Sequence, residues 1–184
     1  MAQVTSEQLA QRVAGWTVAT RFRDTVAARP DAVALRWRDG DTWHAWTWAD
    51  YADRACRLAA ALRDLGVVQG ERVVLMMRNR PEFHVADLAT LLVGATPVSI
   101  YNSSAPEQIR YLVRHSGAVA AIVEDIDFLD RLLKVRDDLP SLEHVVVIED
   151  DGRAPDDVPA FETLCGAAPV DLDAAAGPSY PTCR

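Results

Sequence analysis

Residues 71–113 constrain this chain most, because their punctuation admits one order of elements: strand, helix, strand, helix. Val73, Val74, Leu75, Met76 and Met77 form a continuous apolar run. Without alternation, such a run predicts a short strand covered on both faces, as in a parallel sheet. Pro81 then stands where a helix can begin without losing a hydrogen bond, Glu82 suits the positive helix end, and Gly94 can close the helix in a left-handed conformation. Val85, Leu88, Leu91 and Leu92 fall at helical spacing, so one face of that helix packs on the sheet before residues 96–101 return as the next strand. The result is one βαβ unit.

Upstream, residues 17–28 carry Val18, Phe22, Thr25 and Val26 near helical spacing, and Arg29-Pro30-Asp31 ends them. Residues 33–38 and 42–47 flank Arg38-Asp39-Gly40-Asp41, an Asp-Gly signal between alternating strands that predicts an antiparallel hairpin. Trp37, Trp43, Trp46 and Trp48 crowd this hairpin. They suit packing against the next helix better than a stacking platform for single-stranded nucleic acid, since aromatics dominate cores and cross-strand pairs. Thr47 to Asp50 reads as a capping box, so Asp50 is structural. Tyr51, Ala55, Leu58, Leu62 and Leu65 then mark an amphipathic helix that stops at Gly66, with Cys56 beside the stripe as a small buried filler.

Downstream, Ser104-Ala105-Pro106-Glu107 reads as a second capping box with Ser104 as the cap, opening a helix with Ile109, Leu112 and Val113 inward. Residues 119–123 form a third apolar strand. Asp125 caps a helix bearing Phe128, Leu129, Leu132 and Leu133, and residues 144–148 make a fourth strand. The expected fold is therefore α/β: a layered, mostly parallel sheet with flanking helices and an N-terminal antiparallel hairpin. Ligands are expected beyond the carboxyl ends of its strands. Glu149-Asp150-Asp151-Gly152 suits a solvated turn rather than a metal site. Residues 161–165 suit one short helix, and residues 171–184, with no apolar period, read as an unstructured tail after a domain spanning 1–170.

With 49% hydrophobic residues in 184, the chain can bury a core, and its formal charge of −8 argues against nucleic acid as a partner. Lys134 is the sole lysine among nineteen basic residues, which nearly removes lysine-dependent chemistry. Cys56, Cys165 and Cys183 match neither a disulfide framework nor a zinc pattern. A reducing cytoplasm is expected, with peripheral membrane attachment kept open. No leader or transmembrane segment is read in the sequence.

The glycines never form G-x-G, and no Gly-Lys-Ser or Gly-Lys-Thr loop exists, so dinucleotide and P-loop cradles are absent. His44, His84, His115 and His144 are scattered over different elements, and no metal site is assigned. The only substrate-binding candidates are His84, just after the central strand, and Tyr101 with Asn102, ending the next strand at the same end of the sheet. Their competing roles are a surface histidine and ordinary strand termination. No catalytic or cofactor-binding residue is assigned.

Several strings together carry a family resemblance: Thr47-Trp48-Ala49-Asp50-Tyr51, Leu65-Gly66 followed by Gly70-Glu71-Arg72-Val73, Asn79-Arg80-Pro81-Glu82-Phe83, and Gly94-Ala95-Thr96-Pro97-Val98. In their order and spacing, residues 18–165 resemble the N-terminal portion of AMP-forming acyl-CoA synthetases, the adenylate-forming superfamily. Ile100-Tyr101-Asn102-Ser103-Ser104-Ala105-Pro106-Glu107-Gln108-Ile109 is similar to the long-chain fatty acid branch. The resemblance implies an incomplete N-terminal part of that fold. It implies a reaction in which ATP, assisted by magnesium, activates a fatty acid as acyl-adenylate and CoA then takes the acyl group. The family's Ser/Thr/Gly-rich phosphate loop is expected just beyond Asp171, where this chain runs AAAGPSYPTCR instead. The 184 residues alone are therefore expected to bind no cofactor, to be inactive, and to leave part of the sheet exposed. The alternative is a non-catalytic interaction or oligomerisation module, with a homo-oligomer kept open.

Overall fold

The computed structural model describes residues 5–177. In chain order they form α1 (Ser6–Val13), α2 (Val18–Ala28), β1 (Val33–Asp39), β2 (Thr42–Thr47), α3 (Trp48–Asp64), β3 (Arg72–Met76), α4 (Pro81–Leu92) and β4 (Thr96–Ser99). There follow α5 (Pro106–Ser116), β5 (Ala120–Asp125), α6 (Ile126–Leu133), a 3-10 turn (Arg136–Asp138), β6 (His144–Glu149), α7 (Phe161–Leu164) and α8 (Leu172–Ala175). The four later strands make a parallel sheet in the order β4-β3-β5-β6, with Val74 opposite Val98 on one side and Ala121 on the other.

The unbroken apolar run of β3 is explained by cover on both faces. Val73, Leu75 and Met77 enter one core with α2, α3 and α4, while Val74 and Met76 enter a second core with α5 and α6. Ala120 and Ile122 of β5 repeat the split against Ala121 and Val123. No alternation shows in the sequence because neither face meets water.

Local punctuation follows the residues. The β1–β2 pair is antiparallel, and its turn places Gly40 at φ +54°, where glycine has no Cβ to clash. Trp46 and Trp48 pack against the first core, as expected of them. Trp37 stacks on His44 at 5.4 Å, and Trp43 remains 65% exposed. Thr47 caps α3 reciprocally with Asp50, Asp125 caps α6 by accepting from the Phe128 N–H, and Cys56 is buried. Gly94 leaves α4 at φ +80°, and its carbonyl accepts from the Gly70 N–H.

Four details differ from the sequence reading. The α5 cap is Ala105, one residue late: the Gln108 side chain accepts from the Ala105 N–H at 2.9 Å, and Ser104 is not the cap. β4 ends at Ser99, so Tyr101 and Asn102 lie in the loop beyond it. A first helix, α1, was not anticipated; Thr5 and Gln8 cap it reciprocally. The expected tail from 171 begins instead with a helical turn, α8, whose Asp171 side chain accepts from the Ala174 N–H. Ala176 is fully buried, Leu172 and Ala175 pack against the first core, and the Val170 N–H just upstream bonds the Cys56 carbonyl. A few small apolar contacts order this turn without any visible period. Residues 178–184 lie outside the described residues. No helix among the described residues is long and apolar enough to cross a membrane.

Candidate functional site

After β3 the chain crosses to β4 on one side, and after β5 it crosses to β6 on the other. The carboxyl ends of β3 and β5 therefore flank a topological switch point, the place where open α/β sheets bind ligands. Here the sequence puts charge immediately after each strand. The Glu124 carboxylate, on a residue only 7% exposed, accepts from the Arg78 backbone N–H at 2.5 Å and from its guanidinium at 2.7 Å. Asp125 also accepts from Arg78, at 3.1 Å. Arg80 reaches Glu82 at 2.7 Å, Glu149 at 2.8 Å and Glu124 at 3.6 Å. Carboxylates from β5, β6 and α4 thus hold two arginines from the β3–α4 turn.

The network is anchored on an aromatic ring. Buried Phe128 has the Arg78 guanidinium 5.0 Å from its centroid and that of Arg131 at 4.4 Å. Arg131 in turn donates to the carbonyls of Asn102, at 2.7 Å, and Ser104, at 3.2 Å, and so fixes the β4–α5 loop. Each arginine is already engaged. The rim is thus a pre-ordered polar frame, in which Arg78, with its side chain 56% exposed, keeps the most contact with solvent. Farther out, Asp125, Asp127, Glu149, Asp150, Asp151 and Arg153 border a shallow acidic depression. Among the described residues, no group of three His, Cys, Asp or Glu could hold a metal ion.

The sequence-derived candidates separate. Tyr101 is 84% exposed and shares a groove with Ser104, Glu107, Gln108, Tyr111 and Leu112; Asn102, its neighbour, is held through its carbonyl by Arg131. This loop belongs to the face covered by α5 and α6. His84 lies in the first turn of α4, on the opposite face, half-buried beside Phe83. Its carbonyl accepts from the Tyr51 hydroxyl at 2.9 Å. His84 is thus set apart from Tyr101 and Asn102, α4 packing in the first core and the Tyr101 loop leading into α5 of the second. Arg78, Arg80, Glu124 and Arg131 were not singled out as a cluster. An arginine directly after the central strand and a Glu-Asp pair after the third were the available signals.

Residues 22–177 match the family model described as AMP-binding enzyme. The chain belongs to that family. An uncharacterized protein of Mycobacterium tuberculosis is 40% identical over 139 residues, which are 76% of this chain and 75% of that one. A long-chain-fatty-acid–CoA ligase of Xenopus laevis is 30% identical over 73% of this chain, but over only 18% of its own length. The 2,3-dihydroxybenzoate-AMP ligase of Bacillus subtilis is 32% identical, with 25% of its length covered. Among solved structures, acetoacetyl-CoA synthetase from Streptomyces lividans is similar at TM-score 0.72 and 30% identity, covering 83% of this chain and 25% of that one. The anthranilate CoA ligase in complex with anthranoyl-AMP is similar at TM-score 0.71 and 25% identity, covering 84% and 28%. The chain therefore spans about a quarter or less of the length of these ligases, and about three quarters of the mycobacterial protein.

Proposed function

We propose that this chain is the opening α/β layer of an acyl-activating ligase of the long-chain fatty acid class. In the complete reaction a carboxylate attacks the α-phosphate of ATP, acyl-adenylate forms as pyrophosphate leaves, and the CoA thiolate displaces AMP. Magnesium would serve the ATP, and the fatty acid and CoA are the remaining substrates. The observation that carries the reading is the ordered set of strings from Thr47 to Ile109 on a parallel sheet of this topology, together with relatives named as acyl- and aryl-acid ligases. The string at 100–109 supports the long-chain branch. Tyr101 and Asn102, beyond the carboxyl end of β4, are proposed to border the acid or CoA; His84, on the other face, would act at a separate point. A cytoplasmic location accords with the free cysteines.

We also propose that the 184 residues do not catalyse adenylation alone. Transfer to or from a triphosphate needs concentrated positive charge and free amide donors around the phosphates. Arg78 and Arg80 are tied to carboxylates, and Lys134 is an exposed residue at the end of α6. The test is ATP–pyrophosphate exchange by the purified chain with short, aryl and long-chain acids. None should appear, and exchange with any of them would overturn the proposal.

A second reading, a non-catalytic interaction or oligomerisation module, draws on the mycobacterial relative, in which the 139 matched residues make up 75% of the protein, against 18–25% in the ligases. The two readings part at the gene. A Ser/Thr/Gly-rich loop encoded downstream in any frame supports the ligase segment, and its absence supports the module.

A further inference from the structure

Away from the strand ends, α2, α3 and α4 border a second, open concavity, lined among others by Trp16, Phe22, Trp48, Tyr51, Asp87 and Leu88. It measures about 520 Å³, within the ~300–1,000 Å³ typical of small-molecule sites. The rings form one connected wall: Phe22 meets Tyr51 edge-on at 5.0 Å and Trp48 at 5.8 Å. Tyr51 is fixed by its bond to the His84 carbonyl, so the wall is ordered in advance.

Asp87 is the one acid in this largely aromatic lining, which also holds Thr17, Arg21 and Thr25, and it is half-buried. Burial raises its carboxyl above the ordinary aspartate range, opposed by the nearby charge of His84. Among the described residues no donor hydrogen-bonds it and no arginine pairs with it. Its charge is felt across the cleft: the Tyr51 phenol is pushed up first by burial and then by Asp87. The rings on the rim already take cations, with the Arg21 guanidinium 4.5 Å from the Trp16 centroid and that of Arg29 5.5 Å from Trp48. Arg21 is engaged with Asp24 rather than Asp87.

We propose that this cleft binds a small organic cation of the alkylammonium class, its charge against Asp87 and its alkyl groups on Phe22, Trp48 and Tyr51. A neutral guest would bury the carboxylate without compensation, which is costly. A metal ion would find one carboxylate, with the Tyr51 and Thr25 hydroxyls already donating to backbone carbonyls. An ammonium with an apolar shell answers both features, since aromatic faces attract cations and the methyl groups cover carbon. This site is independent of the acyl-activation reading and would stand if that reading failed.

The probes are choline and its uncharged isostere 3,3-dimethylbutan-1-ol, titrated into the intact chain at constant ionic strength and followed by calorimetry and tryptophan fluorescence. Choline should bind saturably, and the alcohol at least ~10-fold more weakly, the size of one desolvated cation–aromatic and ion contact. Asp87→Asn, checked for folding by circular dichroism, should weaken choline binding by about 10-fold and leave the alcohol unaffected. Equal binding of both probes, no saturable choline binding, or unchanged affinity in Asp87→Asn would each overturn the site. The comparison of probes uses the unmodified chain and does not depend on a variant folding.

Discussion

Glu124, at the end of β5, accepts from both the backbone N–H and the guanidinium of Arg78, just past the end of β3, at 2.5 and 2.7 Å. One buried carboxylate thereby ties the two central strands where the chain changes direction, 46 residues apart in sequence. Removing it strands an N–H and leaves Arg80 with less counter-charge. Glu124→Ala should cost about 2 kcal/mol, the scale of hydrogen bonds to a charged group. Glu124→Gln, which keeps an acceptor, should cost less. Urea unfolding of the three proteins gives the order, and equal midpoints would contradict the tie.

Gly117 ends α5 at φ +61°, where an added Cβ would sit 2.6 Å from Arg72 Nη2. Arg72 donates to the Ser116 and Gly117 carbonyls at 2.5 and 2.7 Å, closing the helix. Gly117→Ala should combine left-handed strain with displacement of that guanidinium, about 2 kcal/mol in all, and lower the Tm by roughly 4–8 °C in a chain of this size. A melt within a degree of the parent would show that Arg72 moves aside freely.

Asp50 is held below the ordinary aspartate value of 3.8 by the Thr47 N–H and then the Thr47 hydroxyl. Because the folded state lowers its pKa, its contribution is fully present above about pH 4 and is lost as pH falls through the folded value. The stability difference between the parent and Asp50→Asn should be flat from pH 7 to about pH 4 and shrink below. Thr47→Ala should cost about 1 kcal/mol at neutral pH, as for other lost caps. Chemical denaturation across pH checks both.

The buried thiols of Cys56 and Cys165 are pushed up to about 11 and about 12, in each case first by burial. In a Cys183→Ser background, both should resist a thiol-specific disulfide reagent at pH 8 until urea is added. The fold favours the neutral thiol, so this share of stability is complete below about pH 9 and is lost as pH rises toward the folded values. Rapid labelling of the native chain would contradict the burial.

Much of this molecule was legible as sequence, because the signals were local. The Val73 to Met77 run, Pro81 and Gly94 around α4, Asp39-Gly40 in the hairpin and the Thr47–Asp50 cap each involve residues a few positions apart, and each holds. The Ser104 cap failed by one residue because the Ser104 N–H donates to the Tyr101 carbonyl in the preceding turn, while Gln108 takes the next amide, that of Ala105. α8 escaped because four residues carry no period; its order comes from burial of Ala176 against helices more than a hundred residues earlier.

Tertiary structure alone decided which ends meet. Strand order β4-β3-β5-β6 depends on how each helix crosses the sheet, and only that order brings Glu124 to Arg78 and Arg131 to the Asn102 carbonyl. The same packing divides His84 from Tyr101 and Asn102 by putting α4 and α5 on opposite faces, and it sets Asp87 among rings from α2 and α3. Hydrophobic period and capping chemistry act within a turn or two of chain, so the sequence by itself determined the elements from α2 to β6, but not α1 or α8. Ion pairs and clefts join groups brought close only by the closing of two cores around one sheet.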